Sequence, residues 1–325
     1  MRYNAPVEQR QGDIRRLAKP ADYIFLLRPM ILIPVWTFFL LGARHGAKLS
    51  GTPIDTIRLL AGLASFTALL GAIYIINQIA DRDVDLAGNK LFLLSRGIIP
   101  VRAARIEAAA LVGLSCALAL ALRNALFWAI LAGSLALGAA YSIEPARLKR
   151  RPVLDVLANA AGNGILNTLA GWVSAGAPLA GCAILIPYPI AVASVHLITT
   201  LADCEADSKM GLKTSGVALG VSRGIFVSTA LMAAAVVAAY LLGNNPALIA
   251  SILSLPFFLI PARLVTRPER NEDALIPAKA ATLIFSVTAG FLFPLYIPYL
   301  AAVILITRLY YSRRFGIEYP SFRGA

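Results

Sequence analysis

Residues 57–80 read IRLLAGLASFTALLGAIYIINQIA, and the acidic sequence DRDVD follows directly at residues 81–85. About 20 consecutive apolar residues in a helix are enough to cross the hydrocarbon core of a bilayer. The apolar positions are continuous rather than alternating, which favours a helix over a strand of a membrane barrel. This stretch therefore predicts a transmembrane helix that ends in a cluster of carboxylates.

Similar apolar runs recur along the chain, of whose 325 residues 58% are hydrophobic and only 14% are charged. A soluble protein of this composition would lack the polar side chains needed to cover its surface. Helices are predicted at 22–42, 57–80, 103–122, 124–142, 153–174, 182–202, 222–242 and 246–264. The region 275–310 is long for one further helix and is interrupted by Pro294 and Pro298. We therefore predict an all-α, polytopic transmembrane bundle with nine core helices and a possible tenth or broken C-terminal span.

The basic residues are distributed unevenly between two sets of loops. Most of the 30 Lys and Arg residues lie before residue 22 or in the loops at 81–105, 147–151, 203–223 and 263–279. The intervening loops contain only Arg44, Lys48, Arg58 and Arg123. Cytoplasmic loops carry an excess of Lys and Arg, so we predict that the first set is cytoplasmic, in a prokaryotic cell membrane. This asymmetry accounts for the net charge of +13 without a nucleic-acid partner.

The predicted organisation is a single domain with two basic ends. Residues 1–21 are expected to form a cytoplasmic basic segment, residues 22–312 the transmembrane domain, and residues 313–325 a basic tail. The three cysteines lack the spacing of a metal site, and their odd number does not indicate a disulfide framework. The sequence gives no indication of the oligomeric state.

A second acidic cluster, DCEAD at residues 203–207, follows the sixth predicted helix as DRDVD follows the second. Helical spacing places Asn77, Asp81 and Asp85 on one face, and Asp203 and Asp207 repeat the relation. Like charges at this spacing destabilise a helix unless a cation compensates them. Oxygen ligands suit magnesium, which binds through one or two carboxylates together with substrate phosphates. The two clusters therefore predict a Mg²⁺ site at one end of the bundle.

Two acids in these clusters, Asp83 and Glu205, lie off the shared faces. We interpret them as solvated, or as paired with a neighbouring cation such as Arg82 or Lys209. Arg28 differs from the other basic residues, because an arginine several residues inside an apolar run generally needs an internal partner.

Three motifs resemble the UbiA superfamily of intramembrane prenyltransferases over about residues 20 to 310. The first is Asn77-x-x-x-Asp81-x-x-x-Asp85 followed by Asn89-Lys90, and the second is Asp203-x-Glu205-x-Asp207 with Gly211, Lys213 and Thr214 after it. Between them lies Tyr141-Ser142-x-x-Pro145-x-Arg147-Leu148-Lys149-Arg150-Arg151-Pro152, and Arg28-Pro29 fits the opening helix of the family. The chain departs from the family pattern at Gln78, where an Asp is usual, and at residues 91–97, LFLLSRG, where R-P-x-x-S-G is usual.

The resemblance implies nine core helices around a cavity that opens laterally to lipid, with the two acidic motifs facing each other. It implies magnesium-dependent transfer of a prenyl group from its diphosphate to a lipophilic acceptor inside the membrane. The metal-binding residues would be Asn77, Asp81, Asp85, Asp203 and Asp207, of which the four aspartates form the catalytic set. The diphosphate-binding residues would be Arg28, Lys90, Arg147, Lys149 and Lys209, with Arg96 and Lys213 as further candidates.

The aromatic residues that could shield an allylic cation are Tyr74, Tyr141, Trp36 and Trp172, although aromatics in spans more often serve packing. His196 is left outside the catalytic set. The acceptor stays open between an aromatic quinone precursor, a tetrapyrrole, a carotenoid and a glyceryl phosphate, and the enzyme could instead cyclise the prenyl chain. A cation-coupled transporter is the remote alternative; its acids would be expected near the bilayer midplane rather than at helix ends.

Overall fold

The computed structural model describes residues 18–87, 93–259 and 275–320, and within these ranges every regular element is a helix. The first half contains α1 Pro20–Leu26, α2 Pro29–Ser50, α3 Thr56–Ala80, α4 Arg82–Ala87, α5 Val101–Ala119, α6 Ala125–Ser142 and α7 Leu154–Asn159. The second half contains α8 Asn167–Ser174, α9 Pro187–Ala202, α10 Cys204–Lys209, α11 Ser215–Leu241, α12 Asn245–Leu259, α13 Ile276–Leu292 and α14 Tyr296–Phe315.

Three short 3₁₀ turns and one π turn complete the described helical structure. The 3₁₀ turns are Leu120–Leu122, Leu148–Arg150 and Cys182–Leu185, and the π turn Ala160–Leu166 joins α7 directly to α8. Among the described residues, six helices are long and apolar enough to cross a membrane, and α12 and α13 are shorter apolar helices. The predicted all-α architecture with membrane-spanning helices is therefore confirmed.

The first predicted helix, 22–42, is wrong as a single element. The chain leaves the helix at Arg28, which has φ 55° and ψ 66°, and α2 then begins at Pro29 and continues to Ser50. Proline disfavours the right-handed helical conformation of the residue before it, and it is well accommodated at the first position of a helix. The break places the Arg28 side chain at the junction of two helices rather than along the side of one.

The C-terminal region divides at Pro294. Helix α13 ends at Leu292, and α14 continues from Tyr296 beyond the predicted tail boundary at residue 313. Arg314 in its last turn is 8% exposed, and its guanidinium binds the buried carboxylate of Asp22 in α1. This ion pair therefore holds α14 against α1. Residues 260–264 of the helix predicted at 246–264 lie outside the described residues.

Helix α2 lies at the centre of the bundle, where it contacts α3, α8 and α13. Its large side chains Phe39 and Leu41 are fully buried. Glycines allow its close approach to α8, because a Cβ on Gly42 would overlap the carbonyl of Thr168, and one on Gly171 would overlap the carbonyl of Phe39. The contact between these backbones fixes the position of α2, and therefore of Arg28 at its start.

A buried polar network joins the helices at the end of α2 remote from Arg28. The Nε2 atom of His45 lies 3.0 Å from the Tyr188 hydroxyl and 3.0 Å from the Asn244 Oδ1. Asn244 Nδ2 donates to the Ile184 carbonyl at 2.7 Å. Buried polar groups that are satisfied in this way fix the register of the helices that carry them.

Candidate functional site

The carboxylate of Asp81 lies between two cations of the loop that follows α6. Lys149 Nζ is 2.6 Å from Asp81 Oδ2, and Arg147 Nη2 is 3.6 Å from Asp81 Oδ1. All three side chains are at most 20% exposed, so solvent screens these pairs less than it would on an open surface. Burial lowers the pKa of the Lys149 amine, and the adjacent Asp81 carboxylate opposes that effect. The loop and the first acidic motif therefore form one charged cluster.

The other residues of the first motif lie on either side of Asp81. Helix α3 ends at Ala80, but the Asp85 amide donates to the Asp81 carbonyl at 2.8 Å, which continues the helical register into α4. Asp85 is 6% exposed and attracts the buried guanidinium of Arg28. Asn77 Nδ2 donates to Ser142 Oγ at 2.9 Å. Because that bond uses the amide nitrogen of Asn77, its amide oxygen is the atom available to a cation.

The second motif begins directly after α9, and most of it belongs to the short helix α10. The Asp207 amide donates to the Asp203 carbonyl at 2.8 Å, as expected for residues four apart in a helix. Asp203 is exposed, whereas Asp207 is half-buried and its Oδ2 accepts from Thr214 Oγ1 at 3.2 Å. Thr214 is the N-cap of α11 and its hydroxyl also accepts from the Val217 amide. The start of α11 therefore positions Asp207.

A residue that sequence reasoning missed, Asp155, connects the basic loop with the second motif. Its Oδ2 accepts from the Ser215 amide at 2.8 Å, and its Oδ1 accepts from the Ser215 hydroxyl. The Val153 amide donates to the same hydroxyl at 2.7 Å. Ser215 follows Thr214, so these bonds hold residues 153–155 against the segment that contacts Asp207. An acidic residue at the start of the apolar run 153–174 was the available signal, since a carboxylate at that depth needs partners.

The predicted diphosphate-binding residues fall into two groups. Arg28, Arg147 and Lys149 lie beside the first motif, with electrostatic contacts to Asp81 or Asp85. Lys209 is 72% exposed, and its amine lies 2.6 Å from Glu205 Oε1, so its described partner is the neighbouring acid. Lys90 lies outside the described residues.

Two of the four aromatic candidates lie at the site. Tyr74 and Tyr141 line a cavity of about 110 Å³ together with Asn77. The other two are packed elsewhere: Trp36 Nε1 donates to Thr67 Oγ1 at 2.9 Å, and Trp172 Nε1 donates to the Pro178 carbonyl at 2.8 Å. Of the four candidates, the two tyrosines are therefore the ones placed where an allylic cation could be shielded.

The chemistry of the two motifs fits a magnesium ion that is completed by substrate. The donors are carboxylate and amide oxygens, which are the ligands that Mg²⁺ prefers. Within residues 18–87, 93–259 and 275–320, no three His, Cys, Asp or Glu side chains form a ready-made metal cluster. Magnesium commonly binds through one or two carboxylates and takes its other ligands from substrate phosphates and water. The separate acidic motifs suit that mode of binding.

Comparison with known proteins gives a consistent result. The model of the UbiA prenyltransferase family matches residues 31–276. The bacteriochlorophyll synthase 34 kDa chain of Chloroflexus aurantiacus is 28% identical over 260 residues, which cover 77% of this chain and 82% of that protein.

Solved structures extend the comparison to the fold. A UbiA homologue from Archaeoglobus fulgidus bound to GPP and Mg²⁺ superposes with a TM-score of 0.66 at 28% identity, covering 87% of this chain and 99% of the other. A UbiA homologue from Aeropyrum pernix K1 has a TM-score of 0.62 at 23% identity, with 78% and 96% covered, and supports the fold alone.

Proposed function

Because the chain belongs to the UbiA prenyltransferase family, we propose that it transfers a prenyl group from a prenyl diphosphate to a lipophilic acceptor within the membrane. It is an integral-membrane prenyltransferase, and its cofactor is Mg²⁺. We assign metal binding, directly or through water, to the set predicted from sequence: Asn77, Asp81, Asp85, Asp203 and Asp207. This assignment rests on the contact between the Lys149 amine and the Asp81 carboxylate. The contact places a cation that can bind a diphosphate next to the first acidic motif.

The reaction breaks the bond between C1 of the prenyl chain and the diphosphate oxygen, and the diphosphate leaves with the electron pair. Mg²⁺ held by the residues of the two acidic motifs would neutralise the charge that develops on this leaving group. In this chain, Lys149, Arg147 and Arg28 supply further positive charge beside the same motif. The allylic cation then forms a bond to the acceptor, which loses a proton. Tyr74 and Tyr141 line the adjacent cavity and would shield the cation from water.

The lipophilic acceptor has more than one candidate class. The 28% identity with a bacteriochlorophyll synthase chain makes a tetrapyrrole alcohol or acid one candidate, beside an aromatic quinone precursor. The basic loops at the end of the bundle that carries both acidic motifs support a cytoplasmic position for the site. A prokaryotic cell membrane is the corresponding location.

Two measurements test the proposal. The first is binding of geranyl or geranylgeranyl diphosphate to purified protein with Mg²⁺ and with EDTA. We expect binding only with Mg²⁺, and loss of binding when Asp81→Ala and Asp207→Ala are combined. The double variant Asp83→Asn with Glu205→Gln removes two charges from the same motifs at exposed positions and should keep binding. Metal-independent binding, or equal effects of the two double variants, would contradict the assigned site.

The second measurement identifies the acceptor. Membranes that contain the protein are incubated with labelled geranylgeranyl diphosphate, and the labelled lipid is identified by mass spectrometry. A labelled adduct that depends on Asp81 establishes transfer. A labelled hydrocarbon or prenyl alcohol without an acceptor would favour cyclisation or hydrolysis instead.

A further inference from the structure

The cavity beside Asn77 continues into the bundle between three helical segments. Its walls come from α3, from α6 and from the segment that contains α7, the π turn and the first residue of α8. Tyr74, Tyr141 and Ser142 lie near the acidic end. Leu70, Ile73, Leu137 and Gly138 make much of the wall apolar. The cavity therefore begins at the first acidic motif and is suited to a largely hydrophobic ligand.

A row of asparagines crosses this apolar wall. Asn159, Asn163 and Asn167 all line the cavity at intervals of four residues. Asn163 Nδ2 donates to Asn159 Oδ1 at 3.2 Å, and Asn167 Nδ2 lies 3.5 Å from Asn163 Oδ1. The π turn Ala160–Leu166 occupies the same stretch, and such turns inside α-helices are frequent at functional sites. The amide nitrogens of Asn163 and Asn167 each point to the amide oxygen of the preceding asparagine, so the amide oxygen of Asn167 remains at the end of the row.

Two polar atoms at the inner part of the cavity lack a partner among the described residues. They are Oδ1 of Asn167, a residue that is fully buried, and Oγ of Ser134, a residue that is 6% exposed. Both residues line the cavity. A buried polar group without a hydrogen bond is unfavourable, and it is retained where a ligand or a water supplies the bond. These two atoms therefore indicate that a polar group of a ligand, or a water molecule, binds at this part of the cavity wall.

We propose that Ser134 and Asn167 form a polar subsite that binds one hydroxyl group of the lipophilic acceptor; naming the ligand the acceptor rests on the proposed function. A hydroxyl group is both a donor and an acceptor, so it offers the bond that Asn167 Oδ1 lacks and the bond that the Ser134 hydroxyl lacks. A carbonyl oxygen cannot donate, so it would leave Asn167 Oδ1 unsatisfied. The chain of a prenyl diphosphate is a hydrocarbon and has no group that could make either bond.

The position of Ser134 separates this subsite from the diphosphate. Ser134 and Ser142 are both in α6 and are eight residues apart, which corresponds to roughly 12 Å along the helix. Ser142 is the partner of Asn77 in the first acidic motif. A hydroxyl at Ser134 therefore belongs to a part of the acceptor remote from the atom that receives the prenyl group. The subsite would select acceptors that are apolar along most of their length and carry an oxygen at one inner position.

A matched pair of probes tests the subsite, namely 2-naphthol and naphthalene, which differ by one hydroxyl. Their binding to the protein in lipid nanodiscs is measured by fluorescence, with empty nanodiscs subtracted. We expect the wild-type protein to bind 2-naphthol at least about 5-fold more tightly than naphthalene, as for one satisfied hydrogen bond. The double variant Ser134→Ala with Asn167→Leu should remove this preference. Equal binding of the probes to the wild type would mean that water alone satisfies the pair, and would overturn the proposal.

Two further variants serve as controls for the preference for 2-naphthol. Ser251→Ala removes another buried hydroxyl that lacks a described partner but does not line the cavity, and it should leave the preference unchanged. If the double variant does not fold, Ser134→Ala alone, which changes the volume little, should still reduce the preference. Retention of the full preference in Ser134→Ala would contradict the assigned role of that hydroxyl.

Geranyl diphosphate with Mg²⁺ separates this inference from the proposed function. We expect geranyl diphosphate and 2-naphthol to bind together, and the subsite variants to keep Mg²⁺-dependent binding of the diphosphate. Mutual exclusion of the two ligands would mean that the cavity takes the prenyl chain, and would overturn the acceptor assignment. Failure of the wild type to bind geranyl diphosphate would refute the proposed function, while the preference for 2-naphthol would still report on the subsite.

Discussion

The amine of Lys149 lies 2.6 Å from the carboxylate of Asp81, although the two residues are 68 positions apart in the chain. The contact connects the loop after α6 to the end of α3, and Arg147 approaches the same carboxylate from the same loop. Lys149 neutralises Asp81 in the substrate-free protein, and it would lie beside the diphosphate of a substrate whose Mg²⁺ was held by the same carboxylate. Lys149 would therefore contact Asp81 before the substrate binds and the diphosphate afterwards.

Replacing Lys149 with Ala should weaken binding of prenyl diphosphate by at least about tenfold, because a charge-assisted hydrogen bond in a partly buried site is lost. Lys149→Arg should recover part of the affinity, since it keeps the charge. The measurement is the dissociation constant of geranyl diphosphate at saturating Mg²⁺. Arg150→Ala removes an equal charge from the same loop outside the ion pair with Asp81, and it serves as the control. Equal losses of affinity in Lys149→Ala and Arg150→Ala would show that Lys149 acts only through the net charge of the loop.

Asp155→Ala should reduce both stability and metal affinity. The Ser215 amide and hydroxyl would lose their carboxylate partner, at a cost of about 1–3 kcal/mol for a buried unsatisfied donor. Ser215 follows Thr214, which binds Asp207, so the second motif should become less well positioned. We expect a lower unfolding temperature in detergent and a higher Mg²⁺ concentration for half-maximal binding of geranyl diphosphate.

Ser194→Ala is a suitable comparison for Asp155→Ala. Ser194 is fully buried and donates to the Ser228 carbonyl between α9 and α11, away from the basic loop. Its replacement should lower the unfolding temperature without changing the Mg²⁺ requirement. If Asp155→Ala also leaves the Mg²⁺ requirement unchanged, the residue has only a structural role.

The sequence predicted the helical bundle and the chemistry of the acids from local features. Helical spacing relates Asn77 to Asp81 and Asp85 without any tertiary information, and the structure keeps this register across the end of α3. The resemblance to the family gave Lys209 as a diphosphate ligand. In the structure this lysine is exposed and forms the local helical pair with Glu205, four residues before it.

The contacts that complete the site join distant parts of the chain, and periodicity carries no information about them. Asp155 with Ser215, and Lys149 with Asp81, depend on how the helices pack. The break at Arg28 could have been predicted, because Pro29 follows it. The apolar run from Ile31 to Leu41 obscured that signal by suggesting one long span.

The buried pair of Asp22 with Arg314 should stabilise the protein in a pH-dependent way. Burial acts to raise the pKa of Asp22, but hydrogen bonds from Arg314, the Lys19 amide and Tyr310 outweigh it, so the pKa is lowered from its ordinary value. A lowered pKa in the folded state means that the stabilisation is present above about pH 4, the unfolded value, and is lost as the pH falls through the folded pKa. Asp22→Asn should therefore lower the free energy of unfolding by on the order of 3 kcal/mol at pH 7, because it removes the negative charge that contacts the buried guanidinium of Arg314.

Thermal unfolding in detergent at pH 7 and at lower pH tests this relation between α1 and α14. The difference between wild type and Asp22→Asn should decrease as the pH falls below about 4. Glu318→Gln removes the partner of Arg308 in an exposed pair, and it should have little effect at either pH. A difference between wild type and Asp22→Asn that is independent of pH would show that the lost carboxylate charge is not the cause.

Gly171→Ala should prevent the normal packing of α8 on α2. Its Cβ would overlap the carbonyl of Phe39 and also lie too close to the Ala43 amide, and backbone atoms cannot move aside as a flexible side chain can. The expected result is failure to fold, or a loss of several kcal/mol, as for overpacking of a rigid contact. Gly113→Ala is the matched control, because a Cβ there has nothing within 4 Å and α5 gains a better helix former. We expect Gly113→Ala to elute as a monodisperse species with unchanged prenyl diphosphate binding, and Gly171→Ala to aggregate. Normal stability of Gly171→Ala would mean that α2 and α8 are farther apart than described.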